Sequence, residues 1–233
     1  MGKVRKLLFV ICLIVFLVSA FMLAKYFYTG HVVQKEFKQL EEEYSLEELY
    51  AENSDTFGWV KIEDTKLSYP VMFTPVDSND PEFYLRKNFQ KEYSAAGTPF
   101  LDGYTDLENS LNSTIYGHHM KDGTMFRTLL DYDDEGFYEQ HPVIELDTVD
   151  YGKHRYQIFA FGKTDALAEG FNVYNYINVT DEYTYNEYVR GLKNMSKYDT
   201  GVTPQYGQKI ITLSTCSYHS EEGRYVVAAV EIE

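Results

Sequence analysis

The sequence predicts a mainly β domain, a closed or nearly closed barrel of about eight strands, preceded by an apolar N-terminal segment. Three observations predict it. Short runs rich in β-branched and aromatic residues recur from residue 59 to the end of the chain, separated by Gly, Asn, Asp and Pro. Helical patterns are few and fall before or between those runs. One apolar stretch of 18 residues, 7–24, stands ahead of everything else.

That stretch, LLFVICLIVFLVSAFMLA, contains one serine and no charge, which is the lower end of what crosses a bilayer as a helix. Lys3, Arg5 and Lys6 precede it, Lys25 follows it, and the chain then turns acidic. The stronger basic flank stays in the cytoplasm, so the remainder is expected outside the cell. The expected organisation is a cytoplasmic N-terminus at 1–6, a transmembrane anchor at 7–24, a helical linker with N-terminal helices at 25–52 and the barrel domain at 53–233. A cleaved signal peptide is the rival reading, because Val18-Ser19-Ala20 resembles a small-residue cleavage site. The apolar run, however, continues past that site.

The 209 residues after the anchor suffice for one large domain with a proper core. They hold all 36 acidic residues against 18 basic ones, a net charge of −18. Such a surface excludes binding of nucleic acid through phosphate contacts and suits solubility outside the cell. Acidic residues lack the D-x-D-x-D-G spacing of a calcium loop, so neither metal nor other cofactor is expected.

Taken in order, residues 32–52 have a helical pattern with Val33, Phe37, Leu40 and Tyr44 apolar, and Ser45 with Glu48 forms a capping box that restarts the helix. Strands are expected at 59–62, 67–72, 99–101, 114–118, 143–147, 155–162, 209–215 and 225–232. Helical inserts are expected at 80–87, 125–140 and 181–198. The last carries Tyr185, Tyr188, Val189, Leu192 and Met195 on one face, a stripe suited to core packing.

Two cysteines are present, and Cys12 lies inside the apolar run, leaving Cys216 alone in the domain. A lone thiol there is either buried and inert or held for reaction. Cys216 ends the β-rich run 209–216, and Arg224 opens the next. If those runs pair antiparallel, Cys216 and Arg224 share one end of the sheet. Positive charge there lowers a thiol pKa from its usual value of about 8.5. Arginine stays protonated and so serves as an oxyanion or carbonyl donor, never as a base. Taken alone, Arg224 equally suits a surface ion pair with Glu221 or Glu222. Of the six histidines, His118 and His119 follow another strand ending at Gly117, while His219 competes by its nearness to Cys216 in sequence. A surface histidine remains the ordinary reading for most of the six.

Several segments, in order, resemble the sortases, and class B most closely. Thr212-Leu213-Ser214-Thr215-Cys216 resembles the family's TLxTC signature, and Tyr116-Gly117-His118 its histidine-bearing strand end. Arg224 stands where the family's arginine follows its cysteine. Asn53-Ser54-Asp55-Thr56-Phe57-Gly58-Trp59-Val60-Lys61-Ile62 and Thr65-Lys66-Leu67-Ser68-Tyr69-Pro70-Val71 resemble the opening of the class B domain. The resemblance implies an eight-stranded sortase-type barrel with N-terminal helices and a helix in the long connection before the cysteine strand. It implies cell-wall sorting in a Gram-positive bacterium. Cys216 would attack the Thr carbonyl of a C-terminal sorting signal, NPxT-like or related to xPxTG, and an amine of peptidoglycan or its lipid-linked precursor would release the thioester. His118 would be the acid and base, and Arg224 would support the tetrahedral intermediate. Ser214 and Thr215 are the expected substrate contacts, although Ser214 equally suits an ordinary strand position. The expected protein partners are surface proteins bearing that signal.

Two rivals belong to other classes. A papain-like wall peptidase usually carries its cysteine at a helix start and before its histidine, whereas here His118 precedes Cys216. A non-catalytic wall-binding module leaves the thiol, the strand-end histidine and the arginine unexplained together.

Overall fold

Eight strands close into one barrel: β1 (Thr56–Lys61), β2 (Ser68–Phe73), β3 (Phe100–Leu101), β4 (Asn112–Gly117), β5 (Val143–Thr148), β6 (Gly152–Asp165), β7 (Ile210–Cys216) and β8 (Gly223–Glu231). Their order around it is β1-β2-β3-β4-β7-β8-β6-β5. The β2–β3 and β4–β7 pairs are parallel and the rest antiparallel. The structure is a computed structural model describing residues 2–78, 80–165, 170–216 and 223–232, with Cys216 described by its backbone.

Burial alternates along β1 and β5, where Val60, Ile144 and Leu146 face the core. That is the pattern of strands with one solvated face. In β8 the run Tyr225–Val230 is buried throughout, because the sheet is covered on its outside there. The cover is α4 (Glu182–Met195), capped by Asp181, whose Tyr185, Tyr188, Val189 and Leu192 pack with Phe159 of β6 and Val226 and Val230 of β8. The expected core role of that stripe is thus met, and α4 lies in the long connection between β6 and β7.

Contacts divide the chain into two units, Met1–Glu36 and Phe37–Glu233. Helix α1 (Gly2–Glu43) takes in the apolar run 7–24 and the first part of the helical pattern expected over 32–52. Among the described residues it is the one helix long and apolar enough to cross a membrane, and its apolar side chains from Leu7 to Leu23 are exposed. Within the second unit, Phe37 of α1 meets Tyr69 of β2 edge-on at 5.3 Å. The expected restart occurs: Ser45 and Glu48 form the reciprocal capping box of α2 (Leu46–Glu52).

The expected inserts differ in kind. Residues 80–87 hold a 3-10 turn at Phe83–Arg86, and 125–140 hold a 3-10 stretch, Phe126–Asp133, followed by α3 (Glu135–Gln140). The Asp134 side chain caps α3 and divides the two. A further 3-10 turn, Val173–Tyr176, has no counterpart among the expected elements, since four residues are too short for a helical period. Strand β6 exceeds the expected 155–162 at both ends, where polar residues are carried by ladders to β5 and β8.

Candidate active site

Three strands end at one rim of the barrel. The parallel neighbours β4 and β7 finish together, with Gly117 opposite Thr215. Strand β8 runs back from the same rim, so its second residue, Arg224, stands opposite Cys216. The adjacency expected for the cysteine and arginine runs is therefore the one found. A cavity of about 510 Å³ opens here, and His118, Ser214, Thr215 and Arg224 all line it.

His118 follows β4 directly and is fixed from both sides. A Cβ on Gly117 would lie 2.6 Å from the Phe126 ring, so glycine permits the close approach. The Phe126 N–H donates to the His118 carbonyl at 2.9 Å, and His119 bridges to Met125, closing the intervening loop. The Met125 N–H donates in turn to the Tyr69 hydroxyl at 2.8 Å. Gly117→Ala is therefore expected to cost about 1–3 kcal/mol of stability, as overpacking does, and to displace His118. Urea unfolding and peptide turnover together check this; unchanged values in both would mean that Phe126 yields freely.

The imidazole Nε2 lies 2.8 Å from the Leu85 carbonyl oxygen. A carbonyl only accepts, so Nε2 carries hydrogen and Nδ1 holds the free lone pair. Burial drives the imidazole pKa below its ordinary value; the Leu85 carbonyl opposes this and Arg86 adds to it. Leu85 itself sits in the 3-10 turn and lines the cavity. A Cβ on Gly97 would come within 2.5 Å of the Leu85 oxygen, so residue 97 must be small for that carbonyl to hold its place.

Ser214 is 1% exposed, and its hydroxyl lies 2.8 Å from the Tyr174 hydroxyl. Thr215 is 2% exposed, and its Oγ1 has no hydrogen-bond partner among the described residues. Arg224 donates from Nη1 to the Gly223 carbonyl at 3.1 Å. Its other β neighbour is Thr164 of β6.

The remaining histidines stand elsewhere. His31 is on α1, His141 bonds the Glu63 carbonyl, and His154 pairs with Glu231. Neither these nor His119 lines the cavity. His219, Glu221 and Glu222 lie outside the described residues. Sequence reasoning missed Leu85, Asp102 and Tyr174 as lining residues. A backbone carbonyl leaves no trace in side-chain patterns, and Tyr174 sits in the turn too short to register.

A family model described as the sortase domain matches residues 60–232. Sortase B of Staphylococcus aureus is 35% identical over 190 residues, covering 79% of this chain and 72% of that protein. Sortase B of Listeria monocytogenes is 32% identical over 186 residues, covering 78% and 72%. A solved Staphylococcus aureus sortase B–substrate complex superposes with a TM-score of 0.71 at 31% identity, covering 92% of this chain and 98% of that one.

Proposed function

The chain belongs to the sortase family, in its class B, and from that premise we propose that Cys216 cleaves a C-terminal sorting signal and passes the acyl group to a cell-wall amine. As a sortase it is a cell-wall sorting transpeptidase. The finer assignments rest chiefly on one observation: Cys216 and Arg224 are register partners at the rim where His118, Ser214 and Thr215 meet.

The Cys216 thiolate attacks the Thr carbonyl of the signal, forming a carbon–sulfur bond and a tetrahedral oxyanion that Arg224 stabilises. The carbon–nitrogen bond breaks, and the leaving amine takes from His118 the proton that the Cys216 thiol gave up to the imidazole on becoming thiolate. In the second half the amine of peptidoglycan, or of its lipid-linked precursor, attacks the thioester and gives its proton to His118 Nδ1. Thiolate leaves, and the enzyme is restored. Ser214 and Thr215 line the wall along which the signal lies. An NPxT-like motif fits class B, and the solved relative described as a sortase B–substrate complex supports binding of a sorting-signal substrate by this chain. We assign the anchor to residues 7–24 and the extracellular catalytic domain to residues 53–233, so the enzyme meets surface proteins as they emerge from the membrane.

Incubating the domain with an NPxT peptide is expected to leave an acyl mass on Cys216, absent from Cys216→Ala and discharged by an added amine. No adduct, or an adduct released by water but never by amines, would overturn the transpeptidase assignment in favour of a non-catalytic module or a peptidase.

A further inference from the structure

Behind the Ser214 wall of the cavity lies a continuous polar and aromatic support. Asp102, just after β3, accepts the Tyr104 N–H through Oδ1 at 2.8 Å and the Tyr116 hydroxyl through Oδ2 at 2.8 Å. The Tyr116 ring stacks on Tyr174 with centroids 6.0 Å apart and an interplanar angle of 28°. Tyr174 reaches the Ser214 hydroxyl at 2.8 Å, and Ser214 is in turn the β-register partner of Tyr116. All four side chains line the one cavity.

The turn carrying Tyr174 is fixed independently. Asn112 of β4 donates to the Tyr176 carbonyl at 2.8 Å, and Tyr176 stacks on Tyr188 at 4.9 Å. Tyr188 bonds Thr212 of β7 at 2.7 Å. The connection between β6 and β7 is thereby tied to both strands that end at the site. Burial and the Asp102 carboxylate raise the Tyr116 phenol far above its ordinary value, so it remains a neutral donor.

We propose that Asp102, Tyr116 and Tyr174 are positioning residues that fix the Ser214 hydroxyl for the sorting peptide. Packing alone gives no reason for this arrangement. An all-apolar stack of the same shape would fill the wall, whereas here a carboxylate and three hydroxyls are kept at the cavity, each of them paired, and together they orient one another. Tyr174 takes one of the hydrogen-bonding positions of the Ser214 hydroxyl and leaves the others to the cavity, and the support reaches back to a carboxylate bonded at both oxygens. This inference rests on the sortase reading above and adds residues that act through Ser214 rather than on the reacting atoms.

The experiment is a double-mutant cycle on peptide cleavage by the full domain. Tyr174→Phe and Ser214→Ala are each expected to raise KM about fivefold with kcat little changed, as loss of one hydrogen bond does. The double variant should be no worse than either single one. Asp102→Asn keeps an acceptor for Tyr116 and is expected to retain most of the affinity that Asp102→Ala loses. Additive losses in the cycle, or variants that shift unfolding without moving KM, would overturn the positioning role and leave a structural one. Absence of cleavage by the unmodified domain would instead overturn the sortase reading on which it rests.

Discussion

His118→Ala is expected to lower peptide turnover by about 100- to 10,000-fold, the range that a positioned acid–base group contributes. The fold should survive, because among the described residues the ring makes one hydrogen bond, to the Leu85 carbonyl at 2.8 Å, while the backbone bond to Phe126 remains. His119→Ala should keep near-normal turnover, since His119 does not line the cavity. Peptide cleavage by His118→Ala, His119→Ala and His219→Ala, with unfolding followed in parallel, decides the assignment. Normal turnover in the first and none in the third would transfer the role to His219.

The same histidine sets a pH dependence of known sign. Its folded pKa lies below 6.5, so at neutral pH the imidazole is mostly the free base. Transfer to the amine uses that base, so, with the fraction of unprotonated amine allowed for, the His118 contribution to its rate should fall as pH drops through a value under 6.5. Stability follows the same direction. Between the folded pKa and 6.5 the unfolded chain binds more protons, so this group's contribution weakens as pH falls through that window and levels off below it. Rates of amine-dependent thioester discharge across pH check the first statement. Once the titration of the amine itself is divided out, an acid limb at or above 6.5 would mean that burial does not govern this group.

All eight strands were legible as runs of β-branched and aromatic residues, because each needed only its own alternation or continuous burial to be seen. The pairing of β7 with β8 followed from the short interval between Cys216 and Arg224, which leaves room for a tight return and little else. Register across distant strands was not legible: that β4 lies parallel to β7, bringing Gly117 beside Thr215, is a property of the closed barrel. The support of the site was hidden for a related reason. Leu85 acts through its carbonyl, Asp102 and Tyr116 meet across 14 residues, and Tyr174 meets Ser214 across 40. Each of those residues has an ordinary local environment, and only the closed fold makes them neighbours.

Arg224→Ala is expected to lower turnover by about 100- to 1000-fold, the usual loss for one oxyanion donor, with little change in KM. The guanidinium stands on β8 opposite Cys216, at the second residue of its strand, and faces the cavity that His118 also lines. A strand on each side, β7 and β6, holds the backbone there, so the fork is aimed without the cost of ordering a loop. Charge on the attacked carbonyl oxygen develops only in the tetrahedral state, which is why the effect belongs in kcat. Lysine retains the charge but not the planar pair of donors, so Arg224→Lys should also be badly impaired. Alkylation of Cys216 by a small reagent should persist in both variants, separating loss of the donor from loss of the nucleophile. If Arg224→Ala instead folds normally, keeps kcat and raises only KM, the arginine is a clamp on the bound peptide. The oxyanion must then be held by another donor at the rim, and a backbone N–H close to Cys216 becomes the group to test.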